Sequence, residues 1–332
     1  MPTLPTIFRA IAFLCGCLPQ LLIAQNLRCD PTKVLTTETC VRCHTNEVAQ
    51  WKKTPHFSTF ETLARNPRAN EITSKLGLTS VKRNDLCIAC HFTVQNVDGN
   101  TKPIAGVSCE SCHGASRDWL NVHNDFGGPL ATRDSETPQH RQQRLTSSIE
   151  LGMRNTSNVY RLAQSCYGCH TVPNEQLVNV GGHHVASAEF ELVAWSQGVV
   201  RHNFLRGSNN NPLATKEKLR VLFVAGLIAD LEFSTRATAA ATTRGTYGIA
   251  VAERAAQVSL RLFELQKQLN DPNLQLALAA FARAELKTNN APQLNQIADE
   301  IARAGLAFVA EHDGSELSAV DRLLPDPSQY RN

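Results

Sequence analysis

Cysteine spacing constrains this chain more than any other feature. Eight of its cysteines fall into four copies of one pattern: Cys40-Val41-Arg42-Cys43-His44, Cys87-Ile88-Ala89-Cys90-His91, Cys109-Glu110-Ser111-Cys112-His113 and Cys166-Tyr167-Gly168-Cys169-His170. C-x-x-C-H is the attachment signature of c-type haem. Two thiols at that spacing reach the two vinyl groups of one porphyrin as thioethers. The adjoining histidine then lies under the iron as proximal ligand. Paired C-x-x-C units also hold structural zinc, but zinc ribbons do not require a histidine directly after each pair. The pattern therefore reads as four haem c groups. Cys40, Cys43, Cys87, Cys90, Cys109, Cys112, Cys166 and Cys169 form the thioethers, and His44, His91, His113 and His170 are the proximal ligands.

Haem at four places also shapes the expected fold. A porphyrin is a large flat apolar body, so a short segment can wrap it instead of building a core of its own. Aromatic residues are accordingly sparse, at 6% of 332 residues. Residues 25–210 are expected to form a loop-rich tetrahaem domain, with turn signals at Asp98-Gly99-Asn100, Phe126-Gly127-Gly128-Pro129 and Val180-Gly181-Gly182. From about Asn211 the cysteines stop and Ala, Leu, Arg and Glu take over. Helices are predicted over 219–233, 246–269 and 273–286, the last opened by Asp271 as N-cap and Pro272 at the first helical position. Leu294, Ile297, Ile301, Ala304 and Phe308 recur at helical spacing and give a fourth. The fold class is mainly α: a loop-rich multihaem cytochrome module followed by a C-terminal antiparallel helical bundle at 211–332. The bundle carries no nucleotide, metal or nucleophile motif. Its plain reading is a cap over the haem module or a support for a dimer, and its sharper reading is a dock for a redox partner.

Export is the expected setting. Arg9 followed by the apolar run 10–24 reads as a signal peptide spanning 1–24, which places the mature protein in the periplasm or otherwise outside the cytoplasm. Leu14-Cys15-Gly16-Cys17 resembles a lipoprotein box, but the apolar run continues past it, so a lipid anchor is the lesser reading. No later stretch is long enough for a transmembrane helix; the best, 221–229, ends at Asp230. Cys29 is left as an odd thiol that is inert, buried or paired between chains. With 33 basic and 30 acidic residues there is no basic stripe for nucleic acid, and the propionates of four haems would reverse the net charge of +3.

The segment from Cys40 to His56 reads C-V-R-C-H-T-N-E-V-A-Q-W-K-K-T-P-H. It resembles the first motif of the cytochrome c-554 family, tetrahaem electron acceptors linked to hydroxylamine oxidoreductase, in which C-x-x-C-H is followed by a Trp-Lys-x-Thr-x-His element. Here that element is Trp51, Lys52, Thr54 and His56. Gly106-Val107-Ser108-Cys109-Glu110-Ser111-Cys112-His113-Gly114 resembles the family's third-haem signature, with His123 following at a suitable distance. The second and fourth motifs match only as haem sites, and the likeness covers about residues 38–205.

The resemblance implies a mostly helical fold with closely stacked haems, three of them with two histidine ligands. It also implies one five-coordinate haem, at the second motif. His56 and His123 are the leading distal candidates, and a third ligand is expected from His183, His184 or His202, with His183 favoured. His202 offers an alternative, as a ligand that would close the second haem. His140 and His312 are not expected to ligate, and Trp51, Trp119 and Trp195 are expected to pack.

Electron transfer between redox partner proteins is the leading function. A haem with two histidine ligands is saturated and can only change oxidation state. Beyond the expected signal only Met153 could supply a thioether ligand. The alternative is a haem-based oxidoreductase acting on a small nitrogen or sulfur oxide at a five-coordinate second haem, although no C-x-x-C-K motif is present. A haem-assembly scaffold built on the bundle is the third reading.

Overall fold

The computed structural model describes residues 28–185, 189–204 and 209–331. The expected signal peptide, with Cys15 and Cys17, lies outside the described residues. The architecture is mainly helical, and the described residues hold one two-stranded antiparallel sheet, Thr93–Val97 with Asn100–Ala105. Asp98 and Gly99 turn that hairpin with φ of 51° and 81°, the left-handed pair that a two-residue turn needs. The hairpin joins the second C-x-x-C-H segment to the third.

Residues 37–179 form short helices whose caps are written in the sequence. Thr54, Asn66 and Thr137 each accept a backbone N–H at the start of a helix whose first residue is proline. Four helices make up the C-terminal region: Lys216–Ala239, Thr246–Leu269, Pro272–Phe281 and Ala291–Glu311. The first of them is the central one, packed against both Thr246–Leu269 and Ala291–Glu311.

That central helix outruns its predicted span of 219–233 because its polar C-terminal half is buried and satisfied. Ser234 donates to Asp230 Oδ1 at 3.0 Å, Thr235 to the Leu231 carbonyl at 2.7 Å and Thr238 to the Ser234 carbonyl at 2.8 Å. Hydroxyls that bond back to the preceding turn carry polar residues through a core. The predicted 273–286 helix is shorter, ending at Phe281. There Arg283 N–H and Ala284 N–H turn to carbonyls three residues back, those of Ala280 and Phe281.

One hydrophobic core joins the bundle to the region of the fourth C-x-x-C-H motif. Val159, Tyr160, Ala163 and Tyr167, on the Val159–His170 helix, share it with Leu222, Val224, Ile228, Leu262, Ile301 and Phe308. Gly305 permits the closest approach: a Cβ there would lie 2.1 Å from the Tyr160 ring. Beneath the apolar contact, Glu232 Oε2 accepts from Tyr160 Oη at 2.8 Å and from Gln164 Nε2 at 2.9 Å.

Candidate haem sites

A helical turn explains why three intervening positions suffice. Residues i, i+3 and i+4 lie on one helix face, so both thiols and the following histidine point the same way. His91, His113 and His170 are each the last residue of a helix: Asp85–His91, Cys109–His113 and Val159–His170. The first motif is looser. It starts at the end of the Thr37–Cys40 helix, and His44 is the N-cap of Thr45–Trp51.

Each motif histidine faces a different histidine from elsewhere in the chain. Ring centres lie 6.4 Å apart for His44 and His123, and 6.4 Å for His170 and His56. They lie 6.3 Å apart for His91 and His183, and 6.0 Å for His113 and His202. Two imidazoles bound to one metal from opposite sides, with metal–nitrogen bonds of about 2 Å, have centres about 6 Å apart. The spacing fits an iron between each pair. His202, the sequence alternative for the second motif, instead lies beside His113. His184 is exposed and, among the described residues, stacks on no motif histidine.

In four of these rings the outer nitrogen is committed in a way that suits ligation. Nδ1 lies 3.1 Å from the Arg154 carbonyl in His113, 2.5 Å from Leu120 in His123, 2.8 Å from His184 in His183 and 2.8 Å from Val200 in His202. A carbonyl can only accept, so Nδ1 carries the proton and Nε2 keeps its lone pair for a metal. Burial pushes His91, His113 and His170 down to about 4, helped by the neighbouring histidines in each case, so these rings are neutral at pH 7. His140 and His312 are occupied otherwise. His140 bonds Glu136, and His312 bonds both Asp271 and Glu316.

The Trp-Lys-x-Thr-x-His element has a structural reason. The Trp51 indole donates to the Val107 carbonyl at 2.9 Å and stands edge-on to Phe57. Thr54 caps the Pro55–Thr62 helix and donates its hydroxyl to the Trp51 carbonyl at 2.7 Å. His56 is thereby fixed in the first helical turn. Val107 N–H donates to the His56 carbonyl at 3.0 Å, and a Cβ on Gly106 would stand 2.1 Å from that same oxygen. Only glycine admits this approach, which links the third-motif segment to the ligand that faces the fourth motif.

Glu110, inside the third motif, gave no signal in the sequence. It is 2% exposed, and its carboxylate accepts from Leu35 N–H, Thr36 N–H, Ser116 N–H and Ser116 Oγ at 2.7–3.2 Å. Thr36 has φ of 83°, a strained value for a β-branched residue, immediately before the first-motif helix. Glu110 holds it there. Cys29 lies beside the same segment, half-buried, its thiol donating to the Glu110 carbonyl at 2.8 Å.

Unpartnered buried atoms supply a further test of fit. Among the described residues these are Trp119 Nε1, Arg161 Nη1, Arg201 Nε and Gln164 Oε1. Three of the four are N–H donors. Trp119 is edge-on to His123 with ring centres 5.2 Å apart, Arg161 lies on the helix of the fourth motif, and Arg201 adjoins His202. Donors left over beside candidate ligands suit the carboxylates of haem propionates.

Thiols also meet across motifs. Cys40 lies beside Cys109, and Cys90 beside Cys169. Cys112 and Cys166 are also near neighbours, and the Ser165 hydroxyl donates to the Cys112 carbonyl at 3.2 Å. Burial pushes the Cys112 thiol up to about 11 and Cys166 up to about 12. Unmodified, these would be inert thiols at neutral pH.

Helical C-x-x-C-H units with histidines opposite them define a c-type cytochrome. Residues 39–114 match the family model described as "Cytochrome c554 and c-prime". A stretch of 109 residues is 30% identical to cytochrome c-554 of Nitrosomonas europaea, covering 30% of this chain and 46% of that protein. Through this segment the chain is similar to the cytochrome c-554 family, and it spans less than half the length of that relative. No solved structure matches the chain.

Proposed function

We propose that this protein is an exported tetrahaem electron carrier. Its four c-haems are held by the eight C-x-x-C-H cysteines, with His44, His91, His113 and His170 as proximal ligands. His123 serves the first haem, His202 the third and His56 the fourth. The observation that carries the reading is the one-to-one matching of motif and non-motif histidines at 6.0–6.4 Å. Bound haem supplies a one-electron couple between ferric and ferrous iron. The chain's own groups fix the rings: carbonyls hold Nδ1–H of His113, His123 and His202, and Trp119, Arg161 and Arg201 offer N–H groups to propionates.

The thiol contacts support an order of attachment sites of first, third, fourth, second. Haems joined through neighbouring cysteines would lie close to one another, so no aromatic relay would be needed between them. Two-histidine ligation, in place of histidine and methionine, favours low potentials. A redox partner protein at either end of the row would give and take the electrons. Export follows from covalent attachment, which takes place outside the cytoplasm, and among the described residues no helix is long and apolar enough to cross a membrane.

Mass spectrometry of the mature protein tests the count: about four haem masses should add to the polypeptide. A redox titration should then oxidise and reduce every haem reversibly. Zinc, or a mass with free thiols, would overturn the proposal.

A further inference from the structure

We infer that the second haem is closed by His183, so that this chain offers no open iron. The inference rests on the tetrahaem reading and departs from what the family resemblance implies, a five-coordinate haem at the second motif. His183 faces His91 at 6.3 Å, within the 6.0–6.4 Å spanned by the other three pairs. Its Nδ1 lies 2.8 Å from the His184 carbonyl, so its Nε2 is the free nitrogen.

The backbone that presents His183 is built in. Gly182 has φ of 69°, which a side chain would strain, and its carbonyl accepts from Arg68 Nη2 at 2.5 Å. A Cβ on Gly181 would stand 2.7 Å from the Leu177 carbonyl, so the chain passes close over the end of the Glu175–Asn179 helix. His183 N–H donates to that carbonyl at 2.9 Å. Two glycines, an arginine from the Pro67–Lys75 helix and the end of the Glu175–Asn179 helix thus set the imidazole in place. With His202 committed to His113, every motif histidine has its own partner.

A saturated iron binds no substrate, so a nitrogen or sulfur oxide has no site of attack at this haem. Electron paramagnetic resonance of the oxidised holoprotein, with haem content fixed by mass, decides the point. All four haems should be low-spin, and the ferrous protein should bind no carbon monoxide. In His183→Ala, about a quarter of the haem should turn high-spin and bind carbon monoxide, and added imidazole should restore the low-spin signal. Because His184 is adjacent, the double variant with His184→Ala should give the same fraction, while His184→Ala alone changes nothing. A high-spin quarter in the wild type overturns the closure but leaves the tetrahaem proposal standing. Fewer than four haem masses overturns the proposal itself. If His183→Ala fails to fold, the wild-type spectrum alone still decides.

Discussion

Glu110→Gln is the most informative single change outside the ligands. Oε1 of Glu110 accepts from Ser116 N–H at 2.8 Å and Ser116 Oγ at 2.7 Å, while Oε2 accepts from Thr36 N–H at 3.0 Å. Leu35 N–H bridges both oxygens, at 3.0 and 3.2 Å. Glutamine best keeps its oxygen towards Ser116, which aims an amide N–H₂ at Thr36 N–H. One charge-assisted bond is lost and two donors confront each other, a cost of about 2 kcal/mol. Glu110→Ala strands all the donors and should cost about 4 kcal/mol. For a chain of this size, 2 kcal/mol lowers Tm by about 4 °C. The assay is thermal unfolding of the holoprotein followed in the Soret band, with Glu253→Gln on an exposed helical position as control, expected within about 0.5 kcal/mol of wild type. Since Thr36 leads into the first motif, relaxing its strained backbone should also alter the low-spin signal of the first haem. A Glu110→Gln protein that melts with the wild type and keeps every low-spin signal would refute the idea that this carboxylate fastens the first motif to the third.

Gly106→Ala should drive a methyl group into the His56 carbonyl and displace the distal ligand of the fourth haem; about 3 kcal/mol of stability and one low-spin signal should be lost together, as melting and paramagnetic resonance would show. Tyr160→Phe removes one of the donors to buried Glu232 and should cost about 1.5 kcal/mol, read by denaturant melts. Far-UV and Soret transitions should shift by the same amount if the bundle and the fourth motif unfold as one. His312 ties the end of the Ala291–Glu311 helix to Asp271, at 2.7 Å, and to Glu316. Burial alone would lower its pKa, but the hydrogen bonds it donates to Glu316 and Asp271 outweigh it and raise the value above 6.5. The resulting stability is fully present below about pH 6.5 and is lost as pH rises through the raised value, so the wild-type advantage over His312→Gln in Tm should shrink from pH 6 to pH 9.

Much of the fold was legible because its signals are local. Thr246–Leu269 emerges over its predicted span, and Asp271 and Pro272 open their helix as caps do anywhere. The Asp98-Gly99 turn is likewise a two-residue signal with one conformational meaning. Where span and structure part, burial is the reason. Residues 234–239 look like a polar helix exit, yet Ser234, Thr235 and Thr238 are buried with their hydroxyls turned inward. The candidate haem-attachment residues stand out in the sequence itself, since the porphyrin would set their spacing. Distal partners do not, because a lone histidine carries no periodicity. Only three-dimensional pairing sets His202 beside His113 and His183 beside His91. Glu110 was invisible for a similar reason: the two middle positions of C-x-x-C-H accept nearly anything, and its partners lie in two other segments.

On the proposed reading, covalent attachment would fix each haem to its own short segment, but electron transfer would also need those segments fixed relative to one another. The first and third sites are joined through Glu110, and the third and fourth through Arg154, whose carbonyl orients His113 while its Nη1 reaches Ser165 at 2.8 Å. The fourth is held from below by the bundle. There Asp230 and Glu232 sit in the interior, their carboxyl groups raised by burial and countered by Arg254 and Arg236. Buried pairs of this kind add little net stability over an apolar replacement, because desolvation offsets their attraction. What they do enforce is geometry: Glu232 can satisfy Tyr160, Gln164 and Arg236 only at one rotation and one height of the Val159–His170 helix. That helix ends at His170, so the bundle's buried charges set where the fourth iron ligand stands relative to His56. On the proposed tetrahaem reading, the role that follows for the C-terminal helices is positional, with the bundle as the rigid floor of a row of redox centres.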